Sequence, residues 1–314
     1  MIGDAGYAIA FPSRDVFSLG LCATIYDNFS EFRSVFDNAS DYFGEDLYRF
    51  SYIDTISRPD LHMVCLLTHC YGIYKVISKY MRLPLAAIGF SQGEFTAAAA
   101  ANCIELPNIL KLVYELESLV DNDEYLKLGS MVRVVHLDRQ KLIECCKQVD
   151  PKSSFVKLGI YLSDDQNIIS GEKEHVDRVC KLAKHNGARW IIPLTDNGAF
   201  HSPLCMNIMH KAEYYFDKYH FKDAEFPVYS CVDGSSAING AKIRDRLSKQ
   251  IGNPVLWDKI INDLSKKNVS HILELGPGCT VSGNSRIICP DISYSWMNNC
   301  QDIENWLENN EVLQ

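Results

Sequence analysis

Short apolar runs alternate along this chain with longer stretches whose apolar residues recur at helical spacing. Tyr7–Phe11 is a short apolar run that ends in a turn-forming stretch, which predicts a strand. Between Pro59 and Met81 the apolar residues recur at helical spacing and predict a long buried helix. Another apolar run, Leu83–Ile88, ends at a glycine-bracketed turn, and an alanine-rich helix former follows from Phe95. This alternation indicates an α/β protein.

A change of pattern in the middle of the chain predicts a smaller unit. Its predicted elements come in the order β-α-β-β-α-β, which is typical of a ferredoxin-like unit. The strands are Gly129–Val135, Ser154–Tyr161, Asn167–Ser170 and Arg189–Ile192, and the helices are Arg139–Val149 and Glu172–His185. Because α/β patterns flank this unit on both sides, we expect it to be an insertion. The predicted domains are therefore residues 1-127 with 194-314, and residues 128-193.

The turn at Gly89–Glu94 carries the first candidate for chemistry. Its residues fit the pattern G-x-S-x-G between a strand and a helix, which places Ser91 on a sharp, exposed elbow. The two glycines let neighbouring backbones approach closely, and the helix start puts N–H groups near the serine oxygen. Glu94 is expected in the first helical turn, where the helix dipole favours a carboxylate. Ser91 is thus a candidate nucleophile; the alternative is an ordinary serine in a tight turn.

Composition excludes several other classes of protein. Among 314 residues, 47% are hydrophobic and 23% charged, which is ordinary for a soluble globular protein, and the net charge of −9 argues against nucleic-acid binding. No apolar run is long enough to cross a membrane, and no secretory signal is apparent. The twelve cysteines are scattered without a C-x-x-C pair, and the histidines lack H-x-x-x-H spacing. We expect a cytoplasmic protein with reduced thiols, no metal and no membrane or nucleic-acid partner.

Further motifs follow the elbow in an order that resembles one family. They are Ile169–Glu174, Gly198–Pro203, Asn253–Trp257 and Leu273–Gly278. With Gly89–Glu94 they resemble the acyltransferases of the malonyl-CoA:acyl-carrier-protein transacylase type, over nearly the whole chain. This family includes discrete trans-acting acyltransferases and acyl hydrolases of polyketide biosynthesis. The resemblance implies an α/β-hydrolase-like large subdomain with an inserted ferredoxin-like small subdomain.

The resemblance also implies a Ser-His dyad. Ser91 would attack a thioester carbonyl, and His201 would accept and later return the proton. The backbone carbonyl of Gln250 would orient the imidazole, so that only the main chain of this residue would matter. The oxyanion would rest on the backbone N–H groups of Gln92 and Arg14. No cofactor would be bound, and the substrates would be an acyl-CoA and an acyl carrier protein with its phosphopantetheine.

Several residues of the expected acyl pocket depart from the family pattern. The family's first loop reads Phe-Pro-Gly-Gln-Gly-Ser, whereas this chain has Phe11–Val16 without either glycine and with Arg14 in place of glutamine. Arg58 also replaces a family glutamine. Leu116 aligns with the arginine that binds the malonyl carboxylate, and no arginine stands nearby in this helix. Phe200, which accompanies malonyl selection, is kept.

These departures leave three hypotheses for the function. The first is an acyltransferase of fatty-acid or polyketide biosynthesis that moves an unusual acyl unit to or from a carrier protein. In that case the carboxylate-binding arginine is either unnecessary or replaced by Arg14 or Arg58. The second is a proofreading acyl hydrolase that releases acyl groups from carrier-protein thioesters. The third is a non-catalytic docking module for carrier proteins, against which the retention of both Ser91 and His201 counts.

Overall fold

The computed structural model describes residues 6–14, 23–54, 57–194 and 198–309. The strands within these ranges are β1 (Gly6–Phe11), β2 (Ala86–Gly89), β3 (Gly129–Val135), β4 (Val156–Tyr161), β5 (Gln166–Glu172), β6 (Trp190–Pro193), β7 (Val228–Tyr229), β8 (Ser236–Ala237), β9 (Val255–Leu256), β10 (Val269–Leu275) and β11 (Ser293–Met297). They form two sheets.

The helices lie between the strands along the chain, singly or in groups. They are α1 (Ala23–Asn28), α2 (Ser30–Phe43), α3 (Leu47–Tyr52), α4 (His62–Ile77), α5 (Gly93–Ala100), α6 (Leu106–Asp121), α7 (Glu124–Lys127), α8 (Arg139–Val149), α9 (Lys173–His185), α10 (Met206–Phe216), α11 (Gly240–Lys249), α12 (Trp257–Lys266), α13 (Thr280–Ile288) and α14 (Cys300–Asn309). Short 3-10 turns occupy Pro59–Leu61, Pro203–Cys205 and Gln250–Gly252. None of these described helices is long and apolar enough to span a membrane.

The larger sheet has six strands in the order β11-β10-β1-β2-β7-β8. Its first five strands pair in parallel, and only β8 runs antiparallel to β7. Residues Ala8–Phe11 of β1 are buried without interruption. Such a continuous apolar strand is typical of a parallel sheet with helices on both faces. The carboxyl ends of β1 and β2 therefore meet at one edge, where the elbow lies.

The smaller sheet has five strands in the order β6-β3-β5-β4-β9. Its first four strands pair antiparallel and, with α8 and α9, form the predicted ferredoxin-like unit. The fifth strand was not predicted, because two residues carry no periodicity of their own. Val255 and Leu256 extend this sheet by pairing in parallel with β4, and the helix begins at Trp257. The α/β fold class with its ferredoxin-like part is confirmed.

The boundaries of the two predicted domains stay a prediction. Residues 128-193 contain β3 to β6 with α8 and α9, whereas β9 joins the smaller sheet from the predicted large subdomain. One core cluster also crosses the boundary. It contains Ala10 and Ile88 from the larger sheet together with Met131 and Ile168 from the smaller one. The two sheets are thus packed against each other through a shared apolar seam.

Close backbone contact at the elbow explains its two glycines. A Cβ atom on Gly89 would lie 2.0 Å from the backbone carbon of Gly93. A Cβ atom on Gly93 would lie 2.3 Å from the carbonyl oxygen of Phe11 in β1. That same oxygen accepts a 3.0 Å hydrogen bond from the N–H of Phe90. The strand-to-helix turn consequently has no room for a side chain at either glycine.

We predict that Gly93→Ala lowers the free energy of unfolding by about 3 kcal/mol, since the new methyl group must displace backbone rather than a flexible side chain. Gly283→Ala is the matched control. Gly283 lies within α13, and a methyl group added there would have no neighbouring atom within 4 Å. There alanine should raise the stability by about 0.5–1 kcal/mol. Denaturant unfolding measures both changes, and equal effects at the two positions would contradict the close packing of the elbow.

Candidate active site

Ser91 stands at the tip of the elbow, between the end of β2 and the start of α5. Its backbone adopts a φ of 50°, which is uncommon for a residue other than glycine. Such backbone strain persists only where the surroundings enforce it, and the close contacts of Gly89 and Gly93 do so here. The turn brings the Ser91 side chain to the wall of a cavity between the two sheets.

His201 reaches the serine from a loop that follows the smaller sheet. Its Nε2 atom lies 2.7 Å from Oγ of Ser91, although the two residues are 110 positions apart in sequence. The His201 backbone also has a positive φ, 58°, and its N–H donates to the carbonyl of Ile251 at 2.9 Å. The fold thus joins a serine hydroxyl and an imidazole by a hydrogen bond, as nucleophilic catalysis requires.

Two backbone carbonyls determine the tautomer of His201. Its Nδ1 atom lies 2.9 Å from the carbonyl oxygen of Asn253 and 3.2 Å from that of Gln250. Because carbonyl oxygens only accept, Nδ1 must carry the proton, and Nε2 is left to accept from the hydroxyl of Ser91. Burial lowers the pKa of His201 to about 4, and the two carbonyls oppose this shift. The imidazole is therefore neutral at pH 7 and available as a base.

The side chain of Gln250 connects the elbow to the histidine. Its Nε2 donates to the carbonyl oxygen of Ser91 at 2.6 Å and to Oε1 of Glu94 at 3.0 Å. The prediction that only the main chain of Gln250 matters is therefore wrong. Sequence reasoning considered only how the imidazole is oriented. The Gln250 side chain in addition joins the backbone of the elbow to the buried carboxyl group of Glu94.

Glu94 lies in the first turn of α5, as predicted, but it is 1% exposed. Besides Gln250, it accepts a hydrogen bond from the backbone N–H of Cys231 at 2.9 Å. Burial raises the pKa of Glu94 to about 7, and the hydrogen bonds from Cys231 and Gln250 work against that shift. Glu94 thus links the elbow helix to the strand region after β7 and to the Gln250 loop.

Arg14 lines the same cavity, and its charge is already engaged. The guanidinium forms an ion pair with Glu117, donates from Nε to Oε1 of Gln92 at 2.9 Å, and lies 4.9 Å from the ring centroid of Phe200. Gln92 closes the triangle by donating to Glu117 at 2.7 Å. Burial raises the pKa of Glu117, and Arg14 opposes this shift. This Arg14–Gln92–Glu117 cluster therefore satisfies its own charges.

Arg58 does not line the cavity that holds Ser91, among the residues described. It forms ion pairs with Glu45 and with Asp60 and lies near the ring of Phe50. The prediction that placed Arg58 in the acyl pocket is wrong. Its alignment with a family glutamine suggested the pocket, but the local carboxylates turn its side chain toward α2 and α3.

The cavity itself is mostly apolar. It is lined by apolar side chains of α6, including Leu116, by apolar side chains of α10, and by Phe200. Its volume is about 150 Å³. Its polar wall carries Ser91, His201 and the Arg14–Gln92–Glu117 cluster. Within the described ranges no group of three or more His, Cys, Asp or Glu residues is placed to hold a metal ion. An apolar cavity with a few converging polar groups is typical of a small-molecule site.

Comparison with known proteins relates this geometry to one group of enzymes. A malonyl CoA-acyl carrier protein transacylase of Staphylococcus aureus (strain MRSA252) is 25% identical over 305 residues, covering 96% of this chain and 98% of the relative. The transacylase of the same name from Buchnera aphidicola is 28% identical over 281 residues, covering 88% and 90%. No protein-family model matches the chain.

Solved structures give the same result for the fold. A type II polyketide synthase acyl-carrier protein was solved in complex with its malonyl-transacylase. That structure matches with a TM-score of 0.90 and 27% identity, covering 97% of this chain and all of the other. An acyl carrier protein S-malonyltransferase of Vibrio cholerae also matches with a TM-score of 0.90, at 23% identity and with coverages of 96% and 100%. The chain is thus similar to these transacylases over nearly its whole length, in sequence and in fold.

Leu116 and Glu117 stand side by side in the wall of this cavity. Leu116 lies in the wall at the position where the resemblance places an arginine, and sequence reasoning missed Glu117 beside it. A signal for Glu117 was present in α6. It stands four residues after buried Val113 and three before buried Val120, so a carboxylate occupies the apolar face of the helix. The roles of the individual site residues stay predictions.

Proposed function

We propose that this protein transfers an acyl group between CoA and the phosphopantetheine thiol of an acyl carrier protein, through an ester on Ser91. The observation that carries this proposal is the 2.7 Å contact between Ser91 Oγ and His201 Nε2 at the wall of a cavity. The names of the relatives support the two substrates. The complex of a related transacylase with its carrier protein supports the partner.

The reaction has two matched halves. In the first, Ser91 attacks the thioester carbonyl while its proton passes to Nε2 of His201, and the C–S bond breaks as that proton moves to the departing CoA thiol. In the second, the carrier-protein thiol gives its proton to His201 and attacks the ester, and Ser91 recovers its proton. A neutral imidazole is needed at the start of each half, which agrees with the lowered pKa of His201.

The tetrahedral intermediate of each half carries a negative oxygen. We assign its stabilisation to the backbone N–H groups of Gln92 and Arg14, since both residues line the cavity beside Ser91. Gln92 directly follows the nucleophile, at the start of α5, where the helix dipole also favours negative charge. The Arg14–Gln92–Glu117 cluster holds both of these residues by their side chains, so it stabilises the positions of the two donors.

We predict that the wild-type protein transfers a short acyl group from acyl-CoA to a holo acyl carrier protein, as the mass of the carrier protein would show. Ser91→Ala removes the nucleophile and His201→Ala the base, so each should lower transfer by about a thousandfold or more. Ser202→Ala, next to the histidine but without contact to Ser91, is a control for the loop and should retain most of the activity. Undiminished transfer by Ser91→Ala would contradict the mechanism, and free acid with no acylated carrier protein would indicate a hydrolase instead.

We further propose that the acyl group is uncharged rather than malonyl. Leu116 offers no charge to a substrate carboxylate, and the charge of Arg14 is already matched by that of Glu117. A malonyl carboxylate placed against Leu116 would lose its hydration without gaining a charge from Leu116 or an unpaired charge from Arg14. The wall of the cavity also carries apolar side chains such as Val113 and Val120. An uncharged acyl chain is therefore the fitting occupant.

Replacing Glu117 should change this acyl selectivity. In Glu117→Gln the side chain keeps its size, but Arg14 loses its counter-charge and becomes available to a substrate carboxylate. We expect kcat/KM for malonyl-CoA to rise relative to butyryl-CoA by about tenfold, as one new charged hydrogen bond would give. Steady-state kinetics with both thioesters measure the ratio.

Glu115→Gln is the matched control for this experiment. Glu115 lies two residues away on the same helix but binds Lys218 and Tyr219 outside the cavity, so its removal should leave the ratio unchanged. An unchanged ratio in Glu117→Gln would contradict the proposed role of the pair. A wild-type protein that accepts malonyl-CoA as readily as butyryl-CoA would contradict the proposed acyl group.

A further inference from the structure

Arg133 is a second arginine in the wall of the cavity that contains Ser91. It lies on β3, on the face of the smaller sheet that also carries buried Met131, whereas Val132 and Val134 face the helices of that unit. A charged residue thus occupies an inward position of a strand whose neighbouring positions are apolar. Such a residue requires polar partners or a ligand.

The partners of Arg133 are neutral. Its Nη2 donates to Oε1 of Gln166 at 2.9 Å, and its Nη1 has a long contact of 3.4 Å with Oδ1 of Asn284. Within the described residues it forms no ion pair, in contrast to Arg14. Burial lowers the pKa of Arg133, yet a guanidinium remains protonated at neutral pH. The cavity therefore contains one cation whose charge is not matched by a carboxylate.

The strand register indicates how far this cation lies from the Ser-His pair. Ser170 of β5 donates to the carbonyl oxygen of Phe200 at 2.5 Å, directly beside His201. Gln166, the partner of Arg133, lies four residues away on the same strand. At a rise of about 3.3 Å per residue, Gln166 and Ser170 lie about 13 Å apart along the strand. The backbone of Arg133 pairs with Ile168 between them, and its guanidinium extends to the Gln166 end of this interval.

This separation fits one part of the substrates. A phosphopantetheine arm has about as many bonds between its sulfur and its phosphorus as the backbone of four residues. Fully extended, it is therefore about 15 Å long. The carboxylate of a malonyl group lies only a few bonds beyond the attacked carbonyl and would remain near Ser91. A group held at Arg133 is thus at the far end of the arm from the reacting carbonyl.

We propose that Arg133, held in place by Gln166 and Asn284, binds the phosphate at the end of the pantetheine arm. This inference rests on the proposed function for the identity of the ligand. In CoA the phosphate belongs to the nucleotide part, and in the carrier protein it is the phosphodiester that joins the arm to the protein. Because both substrates present the same group at the same distance, one arginine serves both halves of the reaction.

The experiment compares acetyl thioesters of pantetheine, 4′-phosphopantetheine and CoA, which differ in whether the phosphate is present. Arg133→Gln should lower kcat/KM for the two phosphorylated thioesters about tenfold, mainly through KM, as the loss of a charged hydrogen bond would do. Turnover of acetyl-pantetheine should stay within about twofold of the wild type. Arg133→Lys should recover part of the loss, and Arg178→Gln on the exposed face of α9 is the matched control.

Two outcomes of these assays would overturn the proposal. An equal loss with all three thioesters would mean that Arg133 is structural. A loss for malonyl-pantetheine but not for acetyl-pantetheine would assign Arg133 to an acyl carboxylate instead.

Calorimetric binding of free 4′-phosphopantetheine and pantetheine separates this inference from the proposed function. Wild-type protein that binds the phosphorylated form more tightly, and loses this preference in Arg133→Gln, supports the site even if no acyl transfer is found. Equal binding of the two forms by wild-type protein would overturn the site even if transfer occurs.

Discussion

The close approach of three backbone segments at the elbow is the constraint on which the candidate site depends. β2 ends against the first turn of α5, and the carbonyl of Phe11 in β1 lies where a side chain on Gly93 would be. This packing holds Ser91 at a φ of 50° and presents its hydroxyl to the cavity. The backbone packing alone therefore places the candidate nucleophile at the sheet edge, beside the start of α5. The serine side chain does not contribute to this placement.

The Gln250 side chain extends this constraint to the base. It joins the carbonyl of Ser91 to the buried carboxylate of Glu94, while the Gln250 carbonyl and that of Asn253 face His201. Buried polar networks of this kind are stabilising only when every member has its partner. The geometry of the Ser-His pair thus depends on buried groups outside the pair itself.

Local patterns explain which features could be predicted from the sequence. The elbow follows from a strand, two glycines and a helix former, and the ferredoxin-like unit from the order of its elements. Contacts between distant segments could not be derived in this way. Arg58 was expected in the pocket, but Glu45 and Asp60 bind it elsewhere. The short strand β9 depends on its pairing with β4, because two residues carry no periodicity of their own.

The most direct test of the proposed dyad is to identify the residue that carries the acyl group after incubation with butyryl-CoA alone. Intact mass followed by peptide mapping, at pH 5.5 and at pH 7.5, serves this purpose. Since the pKa of His201 is about 4, the base is neutral at both values, and we expect the adduct on Ser91 to form at similar rates. An adduct on a cysteine, or acylation that disappears with a midpoint near pH 6.5, would contradict the dyad.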